Sequence, residues 1–117
     1  ILDERVAQWS LRRAEERRRR KLARLIDRFS TDLSTNPHAW EALLNYVRVK
    51  DNLRRLYHLS HQPHITFDSN PWIQEGGNKV ESEFIRLRKN ILERWPTTLS
   101  EPLNAIDEVL GFNDFLP

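Results

Sequence analysis

Apolar side chains along this chain recur at helical spacing. Leu22, Leu25, Ile26, Phe29 and Leu33 fall three and four residues apart, which puts them on one face of a helix. No Gly or Pro interrupts residues 2–33, so this stretch is expected to form a single long helix. Val6 and Trp9 make a smaller apolar patch near its start. Between the two patches, residues 12–21 are almost all charged. Arg, Glu, Lys and Ala sustain a helix without tertiary packing, and this part is expected to project into solvent or onto a partner.

Ser34-Thr35-Asn36-Pro37 marks the start of a second helix. Asn36 can accept from the free N–H groups of the first turn, and Pro37 at the first helical position forgoes no needed hydrogen bond. The helix is expected to run to about residue 60, with Trp40, Leu43, Leu44 and Val47 on one face. Val49, Leu53, Leu56 and Tyr57 continue that face, and Pro63 ends the run. Residues 61–78 read as a connector with Pro63, Pro71, Gly76 and Gly77, in which Ile65 and Phe67 alternate with polar neighbours and allow a short extended piece. Val80, Phe84, Leu87, Ile91 and Trp95 give the cleanest stripe, predicting a third helix over 78–95 that Pro96 stops. In an antiparallel pair Trp40 and Trp95 could meet. A short fourth helix is expected over 100–110, capped by Ser100, favoured by Glu101 at its positive end and closed by Gly111. Leu103, Ile106 and Leu110 would face inward. The expected fold is all-α, a single helical domain spanning 1–117. It comprises a long basic N-terminal helix (1–33), a central antiparallel helical hairpin (36–95), and a short C-terminal helix with an acidic-apolar tail (100–117).

Composition narrows the class. Eleven aromatic residues, four of them Trp, are too many for a disordered chain. The absence of Cys excludes disulfides, thiolate chemistry and Cys-built zinc or iron–sulfur sites. No apolar run approaches the roughly 20 residues that cross a membrane, and no signal peptide is visible. Ile rather than Met stands at position 1, so the sequence is expected to begin downstream of a native start. The expected location is cytoplasmic, the host cytoplasm if the protein is viral. Charge is distributed unevenly. Residues 1–33 hold ten Arg and Lys against six Asp and Glu, whereas residues 96–117 hold four acids and no base. A basic head and an acidic tail imply separate partners or head-to-tail contact between copies.

The candidate chemistry is dominated by Arg12, Arg13, Arg17, Arg18, Arg19, Arg20, Lys21, Arg24 and Arg28. On a helix, Arg13, Arg17, Arg20, Arg24 and Arg28 form nearly one line. Such a line can follow a phosphate backbone, and the planar guanidinium suits paired hydrogen bonds to phosphate. The bland alternative is a solvated face in which Glu15, Glu16 and Asp27 pair some of the arginines. Nothing reads as a helix-turn-helix recognition element, so sequence-specific readout is not expected. His58, His61 and His64 are spaced H-x-x-H-x-x-H, but Pro63 intervenes and no fourth ligand is fixed, so a metal site is not expected. His38, beside Pro37, reads as a surface residue at a helix start. No pair of carboxylates converges, since Glu81 and Glu83 point apart on a helix and Glu75 stands alone in the connector. No catalytic residue, enzymatic activity or cofactor is expected. Gly76-Gly77 reads as a turn, lacking the Lys-Ser/Thr of a phosphate loop. Trp72 is either a plug on the core or an anchor for a protein interface, and Phe112, Phe115 and Leu116 pose the same choice.

Residues from about 40 to 103 resemble the central region of the P27-type phage terminase small subunits. The pieces that carry the resemblance are the Leu- and Arg-bearing helix Leu43-Leu44-Asn45-Tyr46-Val47-Arg48-Val49-Lys50-Asp51-Asn52-Leu53, the connector Asn70-Pro71-Trp72, and the helix Phe84-Ile85-Arg86-Leu87-Arg88. Two features depart from the family pattern. Gly76-Gly77 follow the Asn-Pro rather than precede it, and the family's Gly-Leu-Thr-Pro turn is only echoed by Trp95-Pro96-Thr97-Thr98. The resemblance implies a non-catalytic ring-forming subunit that binds double-stranded viral DNA, contacts other copies of itself and hands the DNA to a large packaging motor. The alternative expectation is a small helical RNA- or protein-binding subunit of a larger ribonucleoprotein or protein complex.

Overall fold

Thirty-one consecutive residues without Gly or Pro form α1, Leu2–Asp32. At 1.5 Å per residue the helix is about 46 Å long, close to the 52 Å longest extent of the molecule. The computed structural model describes residues 2–60 and 77–111. Three further helices follow α1 in the chain: α2 (Pro37–Ser60), α3 (Gly77–Arg94) and α4 (Ser100–Val109). The protein is all-α, with no strand among the described residues. The extended piece expected at Ile65 and Phe67 lies outside them.

Local chemistry sets the boundaries. Asn36 Oδ1 accepts from the Ala39 N–H at 3.2 Å, and Pro37 is the first residue of α2. Gly77 opens α3 instead of belonging to the turn before it. Ser100 does not cap α4. That place falls to Leu99, which offers no side-chain hydrogen bond but is fully buried. The start of α4 is therefore fixed by packing, and the Leu99 carbonyl accepts from the Leu103 N–H at 2.9 Å. At the other end Leu110, with φ −104°, closes the helix through its N–H to the Ile106 carbonyl at 2.8 Å. Gly111 is not left-handed, so α4 ends without the expected glycine conformation.

All four helices feed one core. Phe29 and Leu33 come from α1 and the turn after it, Leu43, Tyr46 and Leu53 from α2, and Phe84 and Ile91 from α3. Leu99, Leu103, Ile106 and Leu110 complete it. The second half of α2 lies against the first half of α3, as an antiparallel hairpin requires, with the Tyr46 and Phe84 rings 5.2 Å apart. Trp40 and Trp95 are each half-buried against this core. α4 flanks the hairpin through α2, Asp107 ties it to α3 through Arg88, and it packs on α1 as well. The physical reason is its spacing. Leu99, Leu103, Ile106 and Leu110 recur at four, three and four, and Pro102 is buried beside them, so the shortest helix presents the most completely buried face.

Candidate nucleic-acid interface

The core claims only the second half of α1. Leu22 and Leu25 pack against it and Phe29 is buried, whereas every described side chain from residue 5 to residue 13 is exposed. Helical geometry then places Arg13, Arg17, Arg20, Arg24 and Arg28 on the face turned away from Phe29. All five are exposed, as are Arg12, Arg19 and Lys21. Arg17, Arg20, Lys21 and Arg24 have no ion-pair partner among the described residues. Arg28 closes the line differently, because its guanidinium meets Glu101 of α4 at 2.6 Å and Asp32 at 3.7 Å. The outcome is a ridge of cations with about 5 Å between successive members along the axis.

Arg18 belongs elsewhere. It is 7 % exposed, its Nε–H donates to the Val109 carbonyl at 3.0 Å, and its Nη1 donates to Glu15. A helix leaves its last carbonyls unpaired, and Arg18 satisfies one of those of α4 while setting a positive charge at that helix's negative end. Its place on the inward face, 11 residues before Phe29, explains the difference from its neighbours. Glu15 also accepts from Arg54 of α2 through both carboxylate oxygens, at 2.8 and 3.0 Å. The Arg54 hydrogen bond holds the Glu15 carboxyl below the ordinary range, against the opposing effect of burial. Burial alone would lower the Arg54 guanidinium, but the hydrogen bond and charge of Glu15, together with Asp51, more than offset it. Beside this lock, Ala14, Arg17, Arg18 and Lys21 of α1 face Glu108 and Val109 of α4 across a recess of about 540 Å³.

A second polar cluster joins the other three helices. Asp107 of α4 accepts from the Tyr46 hydroxyl of α2 and from Arg88 Nε of α3 at 2.9 Å, and Lys50 Nζ stands 3.7 Å away. Arg88 reaches Asn104 as well, at 2.8 Å. Burial, with the Asp107 hydrogen bond added, pushes the Tyr46 hydroxyl well above its usual range, so it remains a proton donor. Burial lowers Lys50, which also lies over the Phe84 ring at 4.7 Å. These groups are committed to one another, and the cluster cross-links the fold.

Among the described residues no three His, Asp or Glu converge as metal ligands would. No described helix is long and apolar enough to cross a membrane. His61, His64, Trp72, Phe112, Phe115 and Leu116 lie outside the described residues. Among the described C-terminal acids, Glu101 and Asp107 pair within the chain, with Arg28, Arg88 and Lys50. Comparison with protein-family models, curated proteins and solved structures finds no match to the chain.

Proposed function

We propose that this chain is a non-catalytic DNA-binding subunit that grips the phosphate backbone with the exposed ridge of α1. The observation that carries the reading is the unpaired cation line Arg17, Arg20, Lys21 and Arg24, continued by Arg13. Cations held at regular spacing on one helix face displace condensed counterions when they meet phosphates, which supplies affinity independent of sequence. The carboxylates inside the fold are tied to arginines and a lysine, which leaves them structural work.

Fluorescence anisotropy with a labelled 20-base-pair duplex tests the contact. The logarithm of affinity should fall with the logarithm of salt at a slope of about −0.9 per phosphate neutralised, so about −4 for a four-cation contact. Replacing Arg17, Arg20, Lys21 and Arg24 by Ala should weaken binding more than tenfold while far-ultraviolet circular dichroism stays helical. Equal binding by that variant would remove the ridge from consideration. The terminase resemblance supplies a setting for the contact: the DNA-recognition component of a viral genome-packaging motor, assembled as a homo-oligomer that presents several ridges to one duplex. Light scattering on the purified chain should then give several times the mass of one chain. A monomer at high concentration would rule out the ring.

A further inference from the structure

Trp9 is an aromatic side chain that lies outside the core formed by the described residues. It is 57 % exposed, and Val6 one turn earlier is 60 % exposed. An indole rarely stays so exposed, because its large apolar area favours burial. Its described neighbour is Arg13, whose guanidinium lies over the ring at 4.8 Å from the centroid. Arg20 follows Trp9 by 11 residues, about three helical turns, and so lies on the same helix face. One face of α1 therefore presents a stacking surface and then a line of cations.

That combination suits an unpaired nucleotide. Every base has a π face that stacks on an aromatic ring whatever its identity, while neighbouring cations hold the phosphates on either side. A continuous duplex keeps its bases inside the stack, out of reach of an indole on a helix surface. A membrane surface fits less well, because a helix lying in a bilayer interface carries an apolar stripe along its length. Here Val6 and Trp9 are followed by charged residues on the exposed face. We infer that Trp9 is a stacking platform for an unpaired base, so the preferred ligand is a nucleic acid with a single-stranded segment running along the α1 ridge. This rests on the nucleic-acid reading of the ridge.

The full chain should be titrated against three fluorescein-labelled ligands of equal length: a 20-nucleotide strand, its duplex, and a strand of abasic sites that keeps the phosphates but offers no base. The intact strand should bind best. Trp9→Ala should lose affinity for it by about five- to hundredfold and bind it no better than the abasic strand. Trp9→Phe should keep most of the preference. The salt slope should be the same for all three proteins, since the phosphate contacts persist. If Trp9→Ala keeps the preference for the intact strand, the platform is overturned. In that case, loss of binding by the ridge variant would still leave the backbone reading standing. Failure of the wild-type chain to bind any of the three ligands overturns both. Trp9-dependent binding to phosphatidylserine vesicles without any strand preference would assign the residue to a lipid surface and overturn the proposal.

Discussion

Arg18 and Arg19 are adjacent in sequence and opposite in surroundings. Arg18 is buried and bonded to the Val109 carbonyl and Glu15, while Arg19 is exposed. Arg18→Ala should cost about 1–3 kcal/mol, because it leaves the Val109 carbonyl without its side-chain donor and removes one of the two arginines that bond Glu15. Arg19→Ala should change stability by less than about 0.5 kcal/mol, and urea unfolding of the two variants gives the comparison directly. Glu15 confers a pH dependence of known sign. Its folded carboxyl is held below the ordinary value by Arg54, so the pairing stabilises the fold above the unfolded carboxyl value of about 4.3. That contribution disappears as the pH falls through the lower folded value. Urea midpoints followed from pH 6 to pH 2 should therefore drop less steeply in Glu15→Gln than in the parent. Asp107→Ala removes the acceptor shared by Tyr46 and Arg88 and the counter-charge of Lys50. It should cost roughly 2 kcal/mol in the same measurement.

For the helices, start and stop chemistry was readable from single residues. Asn36-Pro37 and the Pro96 stop marked boundaries that the structure places at Pro37 and Arg94. Asn36→Ala should lower stability by about 1 kcal/mol through loss of the cap on α2, seen as a lower thermal midpoint by circular dichroism. Periodicity also identified the inner face of α4, but a stripe does not say how many neighbours it meets, so the central position of that helix was not legible. The buried cations were closer to the surface of the pattern. Lys50 and Arg54 follow Leu43 by 7 and 11 residues, which puts two charges on the apolar stripe of α2. Such a placement signals an internal acceptor, and the structure supplies Asp107 and Glu15. Arg18 carried the same signal on α1, hidden within a run of like residues whose exposure depends on where α4 docks. Trp9 read as an apolar patch, and only the overhang of the first turns of α1 beyond the core shows it exposed.

At the scale of the whole molecule, α4 connects what the sequence separates. Its acids pair with Arg28, Arg88 and Lys50, while Arg13, Arg17, Arg20 and Arg24 stay exposed on the outer face of α1 and Arg86, Lys89 and Arg94 stay exposed on α3. That division leaves a polar ridge whose cations can change without touching the core. The long-range pairing of α1 with α4 also governs the order of events when the chain is made. The Arg18–Val109 bond spans 91 positions, and the α1 stripe around Phe29 packs mainly on α4, the last of the described helices. Contacts between distant positions slow folding, because a large loop must close before they form. On the ribosome, α1 emerges before α4 and waits with its apolar side uncovered until α4 has followed. A nascent chain arrested before α4 should remain sensitive to protease and bound by chaperones, whereas one released after Leu110 should close.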